Sequence, residues 1–119
     1  MNTLVIDVGT SSMRGIVFDD RGERIARSRC EYRPTYGDNG VAEQPAESFL
    51  LALRSNVANV VKETTERGSS IDLLAVTSQR SSITAIDEKG EALLPFIMWQ
   101  DARNQSLVER LAESNDVIF

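Results

Sequence analysis

The feature that most constrains the fold is a pair of apolar runs joined by a turn of four residues. The first run, Thr3–Val8, reads TLVIDV, and the second, residues 13–18, reads MRGIVF. The apolar positions of the first run do not alternate with polar ones, which is typical of a strand buried on both faces. Residues 9–12 form the turn between them, so the two runs predict an antiparallel hairpin.

The following residues predict a third strand and then one long helix. Residues 24–32 form a further β-type run after the turn signal DDRGE, which extends the hairpin to a meander. After a loop at 34–40, apolar residues recur every three or four positions, as on one face of a helix. Pro45 suits the first helical position and Gly68 suits the end. The predicted apolar face consists of Phe49, Leu50, Leu53, Val57, Val60 and Val61.

The second half of the chain predicts a strand, a hairpin and a short helix. Residues 71–78, IDLLAVTS, predict another buried strand, and residues 81–87 predict a further one. Residues 92–99 form an extended segment in which a proline favours an edge position or a bend. Asp101 suits the N-cap of a last helix with one apolar side. The order of elements is βββαβ, then a hairpin and a helix, which indicates an α/β domain.

The bulk properties disfavour several classes of partner. The 119 residues suffice for one domain, and a net charge of −5 disfavours nucleic acid, whose phosphates need clustered Lys and Arg. The first residues lack the regions of a signal peptide, and no stretch approaches the ~20 apolar residues of a membrane span. The one cysteine, Cys30, has no histidine to activate it, so we expect strand packing rather than catalysis. We expect a cytoplasmic protein with neither nucleic acid nor membrane as its partner.

The first turn carries more polar chemistry than a chain reversal needs. Backbone N–H groups of a tight, glycine-containing turn favour an anion, and Thr10, Ser11 and Ser12 add hydroxyl groups. Asp7 would repel an anion unless a divalent cation lay between them, and Mg²⁺ prefers carboxylate, water and phosphate oxygens. Arg14 could reach phosphate oxygens. This combination favours a Mg–nucleotide phosphate site, although the same residue types also occur in ordinary turns.

Two later segments carry further candidate binding residues. In VTSQRSS, Gln79 and Arg80 follow a predicted buried strand, where the ligands of open sheets gather, or else they belong to a solvated loop. In PFIMWQDAR, Trp99 suits either core packing or an aromatic wall for the apolar face of a sugar. Asp101 next to it suits a sugar contact or a helix cap with Arg103 as its surface partner.

Together these segments resemble the start of the FGGY family of carbohydrate kinases. The family opens with the pattern D-x-G-T-[ST]-[ST]-x-[RK], which residues 7–14 match. Three further family segments match GVAEQP at 40–45, VTSQR at 76–80 and IMWQDAR at 97–103, in the same order. The resemblance covers nearly the whole chain, so we expect residues 1–119 to form an FGGY-type N-terminal domain.

The resemblance implies a fold and a reaction. Such kinases have the ribonuclease H-like fold of the actin-like ATPases, which here would be an incomplete βββαβ start with a β-hairpin insertion and a following helix. They transfer the γ-phosphoryl group of ATP, with Mg²⁺, to a hydroxyl of a sugar or polyol. The residues implied at Mg²⁺ and the phosphates are Asp7 for the metal and Thr10, Ser11, Ser12 and Arg14 for the phosphates. The residues implied around the substrate are Gln79, Arg80, Trp99 and Asp101.

The chain departs from the family in ways that limit the expectation. Ser81 stands where glycerol kinases have a Glu that grips hydroxyls, which makes glycerol less expected as the substrate. Val41 stands where the family has an aromatic residue. The family's general base lies far downstream, and Asp87, in a turn, is a poor substitute. The last residues, 117–119, are apolar like the start of another buried element. We therefore expect a truncated kinase that is inactive by itself.

Two other interpretations stay open at this stage. The chain would also suit a non-catalytic actin-like module that binds a nucleotide or a protein partner without chemistry. A third interpretation is a structural fragment that forms a homodimer, because unpaired strand edges and exposed apolar surface favour association.

Overall fold

The computed structural model of the chain describes residues 1–113, and the apolar element predicted at 117–119 lies outside them. In chain order, the strands and the long helix are β1 Thr3–Val8, β2 Ser12–Phe18, β3 Arg24–Glu31, β4 Thr35–Tyr36, β5 Ala42–Gln44, α1 Ala46–Glu66, β6 Leu73–Ser78 and β7 Phe96–Ile97. The main sheet has four of these strands in the order β3-β2-β1-β6, and α1 packs against β2 and β3.

The first three strands form the predicted antiparallel meander, and β6 lies parallel to β1. Parallel neighbours need a long crossover connection, and α1 supplies it between β3 and β6. The predicted turn at Gly22 and the predicted helix end at Gly68 are also found. Both glycines have a positive φ, which other residues rarely adopt. The α/β order of elements expected from the sequence is therefore confirmed for this part of the chain.

The buried face of α1 agrees with the predicted one only in part, since Val60 is buried and Phe49 and Val57 pack, partly buried, against the core. The residues that α1 buries are spaced by four positions and are Ala52, Asn56, Val60 and Thr64. Leu50, Leu53 and Val61 of the predicted face are exposed. The reason is the close approach of α1 to β2 at Gly15, where a Cβ atom would lie 3.4 Å from the Cβ of Asn56. Small and polar side chains fit this contact better than leucines do.

The core lies between α1 and one face of β1, β2 and β3. It consists of Leu4, Ile6, Met13, Val17, Ala26, Ala52 and Val60. Cys30 is a free thiol that packs, half buried, against this cluster, as the strand-packing interpretation predicted.

The prediction that β6 is a buried strand was wrong. Every residue of β6 is exposed, with Leu74 65% and Val76 66% exposed. β6 is an edge strand of the sheet, and among residues 1–113 only β1 pairs with it. The apolar sequence pattern shows that these side chains favour a buried strand. Whether they are buried depends on a neighbouring structural element, which the sequence of the strand does not provide. Together with Leu50 and Leu53, these two side chains line an apolar groove between α1 and β6.

A smaller antiparallel sheet lies beside the main one. Its strands, in the order β4-β5-β7, are β4 Thr35–Tyr36, β5 Ala42–Gln44 and β7 Phe96–Ile97, and a short 3₁₀ turn at Asp38–Gly40 joins the first two.

The predicted strand at 81–87 does not form as a continuous strand. The segment pairs with the chain returning from the 87–91 turn only through isolated bridges, Ile83 to Ile97 and Ile86 to Ala92. The hairpin path was thus predicted correctly, and its regularity was not. Within 92–99 only β7 is a strand, since the proline that precedes it has no N–H to donate to a ladder.

The last described element, α2, spans Gln105–Glu113. Asp101 lies four residues before α2 begins, so its prediction as the N-cap of this helix was wrong. Among residues 1–113, no helix combines the length and the apolar character that crossing a membrane requires.

Candidate functional site

The turn between β1 and β2 is held closed from two sides. The Gly9 N–H donates to the Ser12 carbonyl at 3.0 Å, and a Cβ atom at position 9 would lie only 3.0 Å from that oxygen. Tyr32, the residue that follows β3, donates its backbone N–H to the Ser11 carbonyl at 3.0 Å and its phenol to the Gly9 carbonyl at 2.7 Å. Within residues 1–113 the N–H groups of Thr10 and Ser11 donate to no protein acceptor. The turn therefore presents two unused backbone donors.

Tyr32 holds the turn through two hydrogen bonds, a role that the sequence did not reveal. Burial, and secondarily the negative charge of Asp7, raise its pKa from 10.0 to about 12. The phenol therefore keeps its hydrogen at neutral pH and can donate it to Gly9. Its ring packs edge-on against Phe49 at a centroid distance of 5.0 Å, which fixes its direction. A lone Tyr at the end of a strand carries no signal for this role.

Asp7 remains accessible beside this turn. It pairs with Arg14 across the β1–β2 register, and the Arg14 Nη1 donates to its Oδ2 at 3.3 Å. The side chains are 37% and 52% exposed, so this ion pair is solvated and contributes little to stability. Within the described part of the chain no group of three metal-ligating side chains occurs. A cation at Asp7 would thus need water and ligand oxygens, which is how Mg²⁺ is commonly held next to phosphates.

Three segments far apart in sequence meet at the Thr10 hydroxyl. It donates to the Gln79 Oε1 at 2.6 Å and accepts the Trp99 indole N–H at 3.0 Å. The Gln79 N–H donates to the Val8 carbonyl at 2.9 Å, which extends the β1–β6 pairing past the end of β6. The Trp99 N–H donates to the Ser82 hydroxyl at 3.1 Å. The structure thus joins the first turn to both of the later candidate segments.

The exposure of the remaining candidates differs from one residue to the next. Trp99 is 56% exposed, so the alternative that it packs in the core was wrong, and much of its ring is free for a ligand. Arg80 and Ser11 are exposed as well, and Gln79 is half buried. Ser12 is buried at the start of β2, so its side chain lies inside the fold rather than on the open side of the turn.

Asp101, Arg103 and Glu43 form a cluster of ion pairs, the bracket. The side chain of Asp101 is 4% exposed and accepts hydrogen bonds from the Ala42 N–H at 2.8 Å and from the Arg103 guanidinium at 2.7 to 3.0 Å. The same guanidinium donates to Glu43 at 2.6 Å. The hydrogen bonds from Arg103 hold the pKa of Asp101 well below its usual range, and the two carboxylates raise the pKa of Arg103. Arg103 is therefore the partner of Asp101, as the helix-cap alternative expected, but the pair lies largely buried rather than on the surface.

Comparison with known protein families gives one match that extends over nearly the whole chain. The model of the FGGY family of carbohydrate kinases, N-terminal domain, matches residues 2–118.

Individual relatives support the same assignment. A xylulose kinase of Lactococcus lactis is 30% identical over 114 residues, which cover 92% of this chain and 23% of the relative. A glycerol kinase of Beutenbergia cavernae is 32% identical over 112 residues, covering 93% and 22%. The crystal structure of xylulose kinase from Rhodospirillum rubrum shares the fold with a TM-score of 0.89 at 21% identity, covering 98% of this chain and 24% of that one. The chain spans less than a quarter of each.

Proposed function

Because the chain belongs to the FGGY family of carbohydrate kinases, we propose that it forms the N-terminal part of an ATP-dependent sugar or polyol kinase. The reaction transfers the γ-phosphoryl group of ATP to a carbohydrate hydroxyl. The observation that carries this proposal is the meeting of three sequence-distant segments at the Thr10 hydroxyl. A phosphate-binding turn and a sugar-binding wall that touch each other supply the positioning on which phosphoryl transfer depends.

The β1–β2 turn is proposed as the seat of the terminal phosphates. The unused N–H groups of Thr10 and Ser11 and the exposed Ser11 hydroxyl supply donors at one concave point of the chain. Ser12 closes the turn by accepting from Gly9. Arg14 lies on the next strand, more than half exposed, and would stabilise negative charge on the transferred phosphoryl group.

Asp7 is proposed to hold Mg²⁺, chiefly through water. Among residues 1–113, only one of its oxygens is engaged, by an exposed arginine at 3.3 Å, and its side chain is open to solvent, so it fits this role. When bound, Mg²⁺ would neutralise charge on the phosphate oxygens. The chain's own part is to keep this carboxylate next to the turn, which the register of β1 with β2 does.

The sugar side is proposed to be formed by Trp99, Gln79 and Arg80, with Asp101 supporting them. The exposed indole offers an apolar surface to the C–H face of a sugar, and Gln79 and Arg80 offer N–H donors to its oxygens. Asp101 acts through its bracket with Arg103, which fixes the loop that carries the indole. Because the chain spans less than a quarter of its relatives, we propose that turnover needs further polypeptide, including the general base.

The test uses a hybrid in which this chain replaces the matching region of the Lactococcus lactis xylulose kinase. We expect phosphorylation of at least one member of a panel of sugars and polyols in the presence of MgATP. Asp7→Asn should lower turnover about 100-fold or more, as removal of one charge-stabilising group typically does. Asp20→Asn, an exposed carboxylate in the β2–β3 turn, is the matched control and should leave turnover unchanged. A folded hybrid that phosphorylates nothing would contradict the proposal.

A second measurement uses the chain itself and does not depend on the hybrid. In ¹H–¹⁵N spectra, Mg–tripolyphosphate at millimolar concentration should shift the amides of residues 9–12 selectively. The Asp7→Asn variant should lose the shift, whereas Asp20→Asn should keep it. Shifts confined to residues outside 7–14 would refute the phosphate site.

The alternative of a non-catalytic actin-like module predicts the same amide shifts but a hybrid without turnover, so the two measurements separate the proposals.

Association is a distinct proposal, supported by the exposed edge and side chains of β6. If β6 mediates a homodimer of this chain, Val76→Lys should convert it to a monomer in light scattering, and a wild-type monomer at all concentrations would refute it.

The proposed location is the cytoplasm. It is supported by the single cysteine of the chain, which cannot form an internal disulfide.

A further inference from the structure

We infer that the Thr10 hydroxyl positions the two sugar-side residues Gln79 and Trp99, and that it does so instead of donating to a phosphate. The inference rests on the proposed function, which assigns the β1–β2 turn to the phosphates and Gln79 and Trp99 to the sugar. It changes the role that the family resemblance implies for the Thr10 hydroxyl. Thr10 is therefore a positioning residue of the sugar site that happens to lie in the phosphate turn.

The hydrogen-bonding capacity of the hydroxyl supports this assignment. A threonine hydroxyl has one hydrogen to donate, and that of Thr10 goes to the Gln79 Oε1 at 2.6 Å. One lone pair accepts the Trp99 indole N–H at 3.0 Å. No hydrogen is left for a phosphate oxygen, which offers only acceptors. The neighbouring Ser11 hydroxyl is exposed and, within residues 1–113, makes no hydrogen bond, so it can take that role.

The two partners are side chains that need such support. Trp99 is 56% exposed, so packing alone leaves its ring free to change rotamer. The bond from its indole N–H fixes the ring at one end, while its backbone N–H is fixed by Ser82 at 3.1 Å. An aromatic wall that is oriented before the sugar arrives binds it with less loss of conformational entropy.

The orientation of the Gln79 amide follows from the same bond. With its oxygen engaged by Thr10, the amide turns its NH₂ group away from the turn, and this NH₂ has no partner among residues 1–113. The exposed Arg80 next to it adds further donors. The sugar side thus presents donors rather than acceptors, which fits a substrate with an acceptor oxygen, such as a carbonyl or a ring oxygen, close to the indole.

The experiment compares Thr10→Val, which keeps the shape and removes both bonds, with Thr10→Ser, which keeps the hydroxyl. The single tryptophan of this chain gives one indole N–H resonance, which reports the bond without any need for activity. Thr10→Val should shift this resonance upfield and speed its solvent exchange about 5-fold, the effect of losing one ordinary hydrogen bond. Thr10→Ser and the neighbouring Ser11→Ala should leave it as in the wild type. An unchanged resonance in folded Thr10→Val would overturn the inference.

In the hybrid kinase the same variants show whether the Thr10 hydroxyl serves the sugar or ATP, because KM is measured for each. Thr10→Val should raise the KM for the sugar about 5-fold or more while the KM for ATP stays within about twofold, since one hydrogen bond holds the sugar wall. Ser11→Ala should show the opposite pattern. Trp99→Phe keeps a ring but loses the N–H, so it repeats the Thr10→Val pattern if that variant does not fold. A rise confined to the KM for ATP in Thr10→Val or Trp99→Phe would refute the inference.

The outcomes distinguish this inference from the proposed function. A hybrid that is inactive with every wild-type residue in place contradicts the proposed function, whereas the indole resonance still decides whether Thr10 holds the ring. An active hybrid with an indole unaffected by Thr10→Val supports the proposed function and rejects the positioning role.

Discussion

Replacing Tyr32 by Phe tests how the β1–β2 turn is held. The variant keeps the ring, and with it the edge-on contact with Phe49, and removes only the phenol that donates to Gly9 at 2.7 Å. The backbone N–H of residue 32 still faces the Ser11 carbonyl. The change therefore isolates one of the two bonds that join β3 to the turn.

The expected magnitude follows from the surroundings of that bond. A typical intramolecular hydrogen bond contributes about 0.5–1.5 kcal/mol net, and here water can replace the phenol at the half-buried Gly9 carbonyl. We expect a loss of about 1 kcal/mol in the free energy of unfolding, which for 119 residues lowers Tm by about 4 °C. Because the loss falls on the turn, the Tyr32 amide should exchange with solvent about 5-fold faster than in the wild type.

The assays are urea unfolding and amide hydrogen exchange, with Tyr36→Phe as the matched control. Tyr36 is 64% exposed and its phenol only accepts a 3.3 Å hydrogen bond from Gln100, so its loss should change stability by less than about 0.5 kcal/mol. The reasoning is refuted if the position-32 amide is no more accelerated in Tyr32→Phe than the amides of β1, because the phenol would then not hold the turn.

The ionisation of Tyr32 offers an independent check. Since its pKa is raised from 10.0 to about 12 in the fold, the neutral form is favoured there. Its stabilising contribution is full below pH 10 and is lost as the pH rises through about 12. Absorbance at 295 nm should show one tyrosine ionising near pH 12 that is missing in Tyr32→Phe and present in Tyr36→Phe. The absence of any tyrosine that ionises near pH 12 would contradict the burial of this phenol.

Three further predictions concern the bracket, the core and the turn. Asp101→Asn should lower Tm at pH 7. Because the pKa of Asp101 is lowered in the fold, its stabilising contribution is full above about pH 3.8 and is lost progressively as the pH falls below that value, so the gap to the wild type should narrow there; a constant gap from pH 7 to 2 would contradict this. Val60→Ala, at a fully buried position, should cost about 2.5 kcal/mol in urea unfolding with an unchanged slope, and a cost below about 1 kcal/mol would mean that the helix relaxes onto the sheet. Gly9→Ala pushes a methyl group to 3.0 Å from the Ser12 carbonyl and should abolish the Mg–tripolyphosphate shifts, so retained shifts would show that the turn can open without loss.

The parts of the fold that the sequence predicted well are those that depend on local signals. The bounds of the first three strands and of α1 agree with prediction to within one residue at most ends, because turn glycines such as Gly22 and Gly68 act through their own φ. The predicted burial of β6 was wrong, as was the predicted burial of Leu50, Leu53 and Val61 on α1, because burial depends on neighbouring elements. Gly15 admits Asn56 in place of a leucine, and no periodicity in α1 encodes the shape of the opposite strand.

The candidate site also has one part that local sequence predicted and another part that it did not. The polar groups of the first turn were predictable, since a carboxylate, a glycine and three hydroxyls stand together in the sequence; that they bind Mg²⁺ and phosphate stays a prediction. The contact of Thr10 with Gln79 and Trp99 was not, because it needs the parallel register of β1 with β6 and the path of the irregular hairpin. Tyr32 was missed since its role depends on where β3 ends relative to that turn.

The bracket explains why a segment far from the proposed chemistry is part of the site. The loop that carries Trp99 is fixed at both ends by residues 40–42, since the Met98 N–H donates to the Ala42 carbonyl at 2.9 Å and the Ala102 N–H donates to the Gly40 carbonyl at 2.8 Å. Gly40 has a φ of +79°, and a Cβ there would lie 3.0 Å from the Ala102 side chain, so only glycine permits this approach. The Asp101 carboxylate completes the same junction. The sequence GVAEQP therefore holds the indole loop in place, and through that loop it would act on the proposed sugar side without touching a substrate itself.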